Sequence, residues 1–126
     1  MRIYFPLNAT EISTLLESKH LDFTNQLAVS VTSEMSKLLE LTDQDELTLI
    51  AALTAADLAQ EPSAIAVLET DVTVGDAELG EVFFTQLVVL ADLECWLIPD
   101  LETDQVSWFG IQETETVLEQ VKNLAP

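Results

Sequence analysis

Pro62 marks the sharpest change in how this chain spaces its apolar residues. Before it, helical spacing dominates: Ile12, Leu15 and Leu16 share one face, and Leu47, Ile50, Ala51, Thr54 and Leu58 form one stripe. After it, Ser63–Val74, Glu81–Leu90, Leu93–Ile98 and Gln105–Phe109 are rich in Ile, Val and aromatic side chains and read as strands. Helical spacing returns only at the end, where Val117, Leu118, Val121 and Leu124 share a face. A chain that holds both periods without strict alternation excludes all-helical, all-strand and doubly wound folds.

Local signals place the boundaries. Arg2–Leu7 reads as a first strand that Pro6 ends. Asn8 with Glu11 forms a capping-box pattern, and Leu7 with Ile12 has the spacing of a hydrophobic staple, so a helix starts at once and fades near His20. Gln26–Val31 is a short alternating strand, and Thr32 can cap a short helix carrying Met35, Leu38 and Leu39. Asp43 with Glu46 opens the strongest helix, which runs to about Gln60; Leu49, Leu53 and Ala56 widen its stripe enough to predict burial on more than one side. Pro62 blocks continuation. Asp71 interrupts the first late strand, Gly75-Asp76 reads as a turn, and Pro99-Asp100 stops the Leu93–Ile98 strand. The last helix starts near Gly110, with Lys122 at the end its dipole favours. The order is β-α-β-α-α-β-β-β-β-α. The expectation is one α+β domain over residues 1–126, a mixed β-sheet covered mainly on one face by helices.

Charge narrows the function. The 126 residues hold four Lys+Arg against 23 Asp+Glu, a formal net charge of −19, yet 48% are apolar. Such apolar content is incompatible with a disordered acidic tail. Direct nucleic-acid binding is excluded, because phosphate contacts need many cations. The excess of acids would repel anionic lipid and favour a basic partner, while it also suits a merely solubilising surface. The apolar windows Leu47–Ala59 and Val82–Ala91 fall short of the roughly 20 residues that span a bilayer. The apolar start stops at Pro6, unlike a signal peptide, and the single cysteine, Cys95, fits a reducing compartment, so a cytoplasmic location is expected.

Two short segments carry a resemblance. The opening Met1-Arg2-Ile3-Tyr4-Phe5-Pro6 and the late Trp108-Phe109-Gly110-Ile111-Gln112-Glu113 resemble a family of small, uncharacterised, mostly actinobacterial proteins that open M-R-[VI]-Y-x-P and close W-[YF]-x-x-[QE]-E before a final helix. The Ala28–Thr32 strand end is also similar. Between Pro99 and Trp108 this chain is shorter than that pattern. The family is a domain of unknown function, so the resemblance implies a bacterial, cytoplasmic, single-domain protein and assigns no reaction, ligand or catalytic residue.

Few chemistries can be assembled. The one histidine, His20, sits at a helix end, and Cys95 lies inside an apolar strand with little positive charge near it in sequence. With three glycines and neither a G-x-G-x-x-G nor a P-loop pattern, no phosphate-cradling loop is expected. Carboxylates could hold a hard cation, Mg²⁺ or Ca²⁺, and Asp71, Asp76, Glu78 and Glu81 crowd one loop, although without EF-hand spacing. Otherwise no cofactor is expected. Glu113 is the candidate acid–base residue; as a first-turn helix acid it has an equally simple structural role. Adjacent aromatics on a strand point to opposite faces, so one of Phe83/Phe84 and one of Trp108/Phe109 should leave the core, making Phe84, Trp108 and Phe109 candidate contact residues, in a homodimer or with a partner. The reading inclines away from an enzyme, toward an acidic cytoplasmic binding or adaptor protein for a basic protein partner, a nucleic-acid mimic being one form of it. The alternative is a small carboxylate-based, divalent-metal-dependent hydrolase or lyase.

Overall fold

A computed structural model describes residues 2–30, 44–59, 62–70, 73–76, 81–100, 103 and 105–124. Its elements are β1 (Arg2–Asn8), α1 (Ala9–Ser18), β2 (His20–Ser30), α2 (Gln44–Leu58), β3 (Ser63–Glu69), β4 (Thr73–Asp76), β5 (Glu81–Val89), β6 (Leu93–Asp100), β7 (Gln105–Phe109) and α3 (Thr114–Leu124), with 3-10 turns at Leu90–Asp92 and Ile111–Glu113. The fold is α+β. Among the described residues the strands form one sheet in the order β4-β5-β2-β1-β3-β6-β7.

The start of the chain follows its local signals. Asn8 accepts the Glu11 N–H at 2.8 Å and the Glu11 carboxylate accepts the Asn8 N–H at 3.1 Å, so the capping box is made. Leu7 and Ile12 are buried in the same cluster on either side of it. The helix ends at Ser18, two residues before His20. Lys19 turns left-handed at φ 65°, gives its N–H to the Leu15 carbonyl, and its own carbonyl accepts the Leu90 N–H. His20 therefore opens β2 rather than closing a helix, and it is exposed.

Two expectations about the sheet are corrected. Every pairing is antiparallel, so the sheet is not mixed. Ser63–Val74 divides into β3 and β4, as the interruption at Asp71 predicts: β3 pairs β1 and β6, whereas β4 pairs β5 at the far edge. Gly75 and Asp76 belong to β4, where a bulge falls between Val74 and Asp76, rather than to a turn. The Thr32–Leu39 helix and the Asp43–Glu46 capping box lie outside the described residues and side chains.

Helices cover both faces, not mainly one. On one face α1 and α3 bring Ile12, Leu15, Val117 and Val121 onto Ile3, Phe5, Leu7, Ala64, Ala66, Phe84 and Trp96. On the other, α2 brings Ala51, Ala52 and Ala55 onto Tyr4, Val29, Ile65, Val67 and Leu97. The cause lies in the strands. Ile3-Tyr4-Phe5 and Ala64–Leu68 are unbroken apolar runs, and every residue in them is buried. Such runs cannot leave one face in water. The buried side of α2 is its alanines, which allow a close approach to the sheet. Leu49, Ile50 and Leu53 are only half-buried.

Pro6 does not end β1; it stays in the ladder opposite Ile65, and the strand runs to Asn8. A proline has no N–H to give, so Pro6–Ile65 fits as a pair whose backbone groups point away from each other. The missing donor then faces β2, which pairs β1 only through Ile3 and Tyr4 and needs nothing at Pro6.

Candidate functional site

β7 is an edge of the sheet, paired on one side to β6, with Trp96 opposite Phe109 and Leu97 opposite Trp108. The alternation puts Phe109 on the α1/α3 face, half-buried against that core, and Trp108 on the α2 face. Trp108 is 63% exposed, the most open large apolar side chain among the described residues. Phe84 points into the core and is buried, so it belongs to no surface.

Beside Trp108 the sheet face forms an open depression of about 360 Å³ lined by Arg2, Tyr4, Val67, Glu94, Cys95 and Leu97. Glu94 falls at a register shift of β6 against β3, between Leu93 and Cys95. Its carboxylate meets the Arg2 guanidinium at 2.9 Å. The hydrogen bond to Tyr4, with the charge of Glu94 behind it, outweighs burial and holds the Arg2 guanidinium above its ordinary value. As the chain's one arginine, Arg2 is thus committed to an internal pair. Both side chains are partly open to water, so the pair adds little to stability.

Burial pushes the half-buried Cys95 thiol up, against a weaker opposite pull from its hydrogen bond with Trp108. A raised thiol favours the folded state below the ordinary thiol range. That contribution is lost as pH climbs through the raised value. It also makes a poor nucleophile. At pH 8, alkylation of Cys95 by iodoacetamide is expected to run about tenfold slower than that of free cysteine, with mass spectrometry as the readout. A rate equal to free cysteine would show an accessible, normal thiol.

The other candidates scatter. The Glu113 carboxylate accepts the Gly110 N–H at 2.9 Å while its own N–H reaches the Gly110 carbonyl, so it caps the turn before α3. Neither depression described here includes it. Asp71 and Glu78 lie outside the described residues, and Asp76 and Glu81 are placed by their backbone alone, in β4 and β5. Among the described residues no group of three or more His, Cys, Asp and Glu gathers to hold a cation. A second depression, about 480 Å³ between α1 and α3, carries Glu17, Glu115 and Glu119 beside Ser13, Leu16 and Leu118. Like charges there disfavour anionic ligands. No helix among the described residues is long and apolar enough to cross a membrane.

Sequence reasoning singled out Trp108 but not Arg2, Tyr4, Glu94 or Leu97 around it. No local signal joins them, because β1 and β6 meet only through β3. Compared with known proteins, the chain matches no family model, no curated protein and no solved structure.

Proposed function

We propose that this chain is a non-catalytic, acidic cytoplasmic binding protein that engages a basic protein partner through the Trp108 side of the β6–β7 hairpin. One observation carries the reading: in a chain of net charge −19, an aromatic side chain 63% exposed stands on an uncharged edge strand. A desolvated aromatic anchor is the usual centre of a contact surface, and surrounding charge speeds encounter and selects the partner. Glu94 and Asp100 are exposed on β6, and Glu102 and Asp104 stand in the sequence between β6 and β7. A nucleic-acid mimic is a narrower form of this reading, in which duplex DNA or RNA would displace the partner.

The test is calorimetric titration with a blocked peptide alternating Lys and Val, at low and at high salt. Binding is expected at low salt and should weaken steeply as salt rises. Trp108→Ala is expected to weaken it about 30-fold, the size of a hot-spot loss, with little change in the denaturation midpoint. Affinity indifferent to salt and to Trp108→Ala would remove the proposal.

A further inference from the structure

We propose, on the basis of the basic-partner reading above, that the partner docks as an extended basic segment added antiparallel to the outer edge of β7. The pairing pattern points there. If Pro6–Ile65 faces away from itself, the Ile65 backbone groups face β6 and bond Leu97. Leu97 then turns its groups away from β7, and Trp108, its opposite number, turns its N–H and C=O outward. Pro99, two residues on, supports the same phase independently, because it has no N–H to offer Val106. The outer edge therefore presents the N–H and C=O of Val106 and Trp108. Among the described residues no strand pairs with that edge.

Natural sheets blunt such edges with lysine, proline, bulges or very short strands. The opposite edge, β4, is four residues long and bulged. β7, Gln105-Val106-Ser107-Trp108-Phe109, has neither charge nor proline, and its pairing with β6 runs without a register shift. In a chain with 23 acids this uncharged, exposed strand is open to pairing.

Charge decides the occupant. A second copy would bring another −19 to strand spacing, about 4.8 Å away, whereas a basic segment neutralises the surface it meets. Residues of the added strand opposite Val106 and Trp108 exchange backbone bonds with them and place their side chains on the Trp108 face. A Lys or Arg opposite Trp108 can lay its cation over the indole. Main-chain bonds thus supply affinity, and alternate basic side chains supply selectivity.

The probe is the same alternating Lys/Val peptide, N-methylated either on every Lys or on every Val. Lys amides should carry the bonds to β7. Lys methylation is expected to weaken binding at least tenfold and Val methylation to change it little. Val106→Pro removes an outward N–H and leaves the β6 ladder intact, so it should weaken binding by a similar factor with little change in thermal midpoint. On the unaltered chain, peptide binding should slow hydrogen exchange at the Val106 and Trp108 amides and not at Ser107.

Equal binding of both methylated peptides, with Trp108→Ala still weakening all of them, would overturn strand addition and leave the partner reading standing. No binding of the unmodified peptide would overturn both. Self-association of the unliganded chain that Val106→Pro abolishes would put a second copy on the edge and overturn the basic occupant.

Discussion

Phe84→Ala is expected to destabilise the fold by about 3–5 kcal/mol, the loss that goes with emptying the site of a fully buried aromatic ring. Phe84 on β5, Phe23 on β2 and Phe5 on β1 meet ring to ring, with centroids 4.9 Å apart for Phe5–Phe84, 5.5 Å for Phe23–Phe84 and 5.6 Å for Phe5–Phe23. Their tilted and edge-to-face geometry adds aromatic attraction to the burial itself. Phe5 and Phe84 are fully buried, so nothing but neighbouring side chains can fill the space that truncation leaves. The loss would consume a large share of the roughly 5–15 kcal/mol that holds a domain folded. Urea denaturation followed by circular dichroism measures it. Phe84→Leu should cost clearly less, since it keeps most of the volume. A Phe84→Ala variant within about 1 kcal/mol of the parent would mean that the three rings do not form the centre of the core.

Thr114→Val should destabilise by about 1–3 kcal/mol despite preserving shape, because it strands a buried donor. The Trp96 indole N–H donates to the Thr114 hydroxyl at 2.9 Å, and that hydroxyl donates onward to the Ile111 carbonyl. Both residues are buried, so water cannot take over either bond. The pair also fixes where α3 lands, since it joins β6 to the first residue of that helix. Thr114→Ser keeps the hydroxyl and loses only a methyl group, so it should retain most of the stability. Equal losses for Val and Ser would assign the effect to packing rather than to the hydrogen bond. Urea titration of both variants, read at far-UV wavelengths, separates the two cases.

Cys95, Trp96 and Trp108 show how strand alternation distributes roles. Trp96 faces α1 and α3, is buried, and is tied to Thr114. Cys95, its immediate neighbour, faces the α2 side and borders the open depression. Trp108 stands opposite Leu97 on that same side, where α2 covers Leu97 and leaves the indole in water. Among the described residues, the edge position leaves Trp108 without a strand beyond it to pack against.

Much of the local structure was legible in the chain. The Asn8–Glu11 box, the spacing of Leu7 and Ile12, the α3 face of Val117 and Val121, and the Gln105–Phe109 strand all follow from patterns among residues close in sequence. The rule that neighbouring strand residues face opposite ways also separated Trp108 from Phe109, but it could not say which of Phe83 and Phe84 would be buried. Burial depends on the partner strand, and Phe84 meets Phe5 and Phe23 only once β5 lies beside β2 and β2 beside β1.

By itself, the sequence determined the α+β class, the Asn8–Glu11 cap and the net charge, because each depends on short-range spacing or on composition. Tertiary structure alone decided the rest. It set the antiparallel order β4-β5-β2-β1-β3-β6-β7, the second covered face, and the survival of Pro6 inside a central strand. It also brought Arg2 onto Glu94 across β3 and left β7 at an edge. These outcomes depend on pairings between residues far apart in the chain. Such pairings are chosen by which arrangement buries every apolar run at once, not by the signal any one run carries.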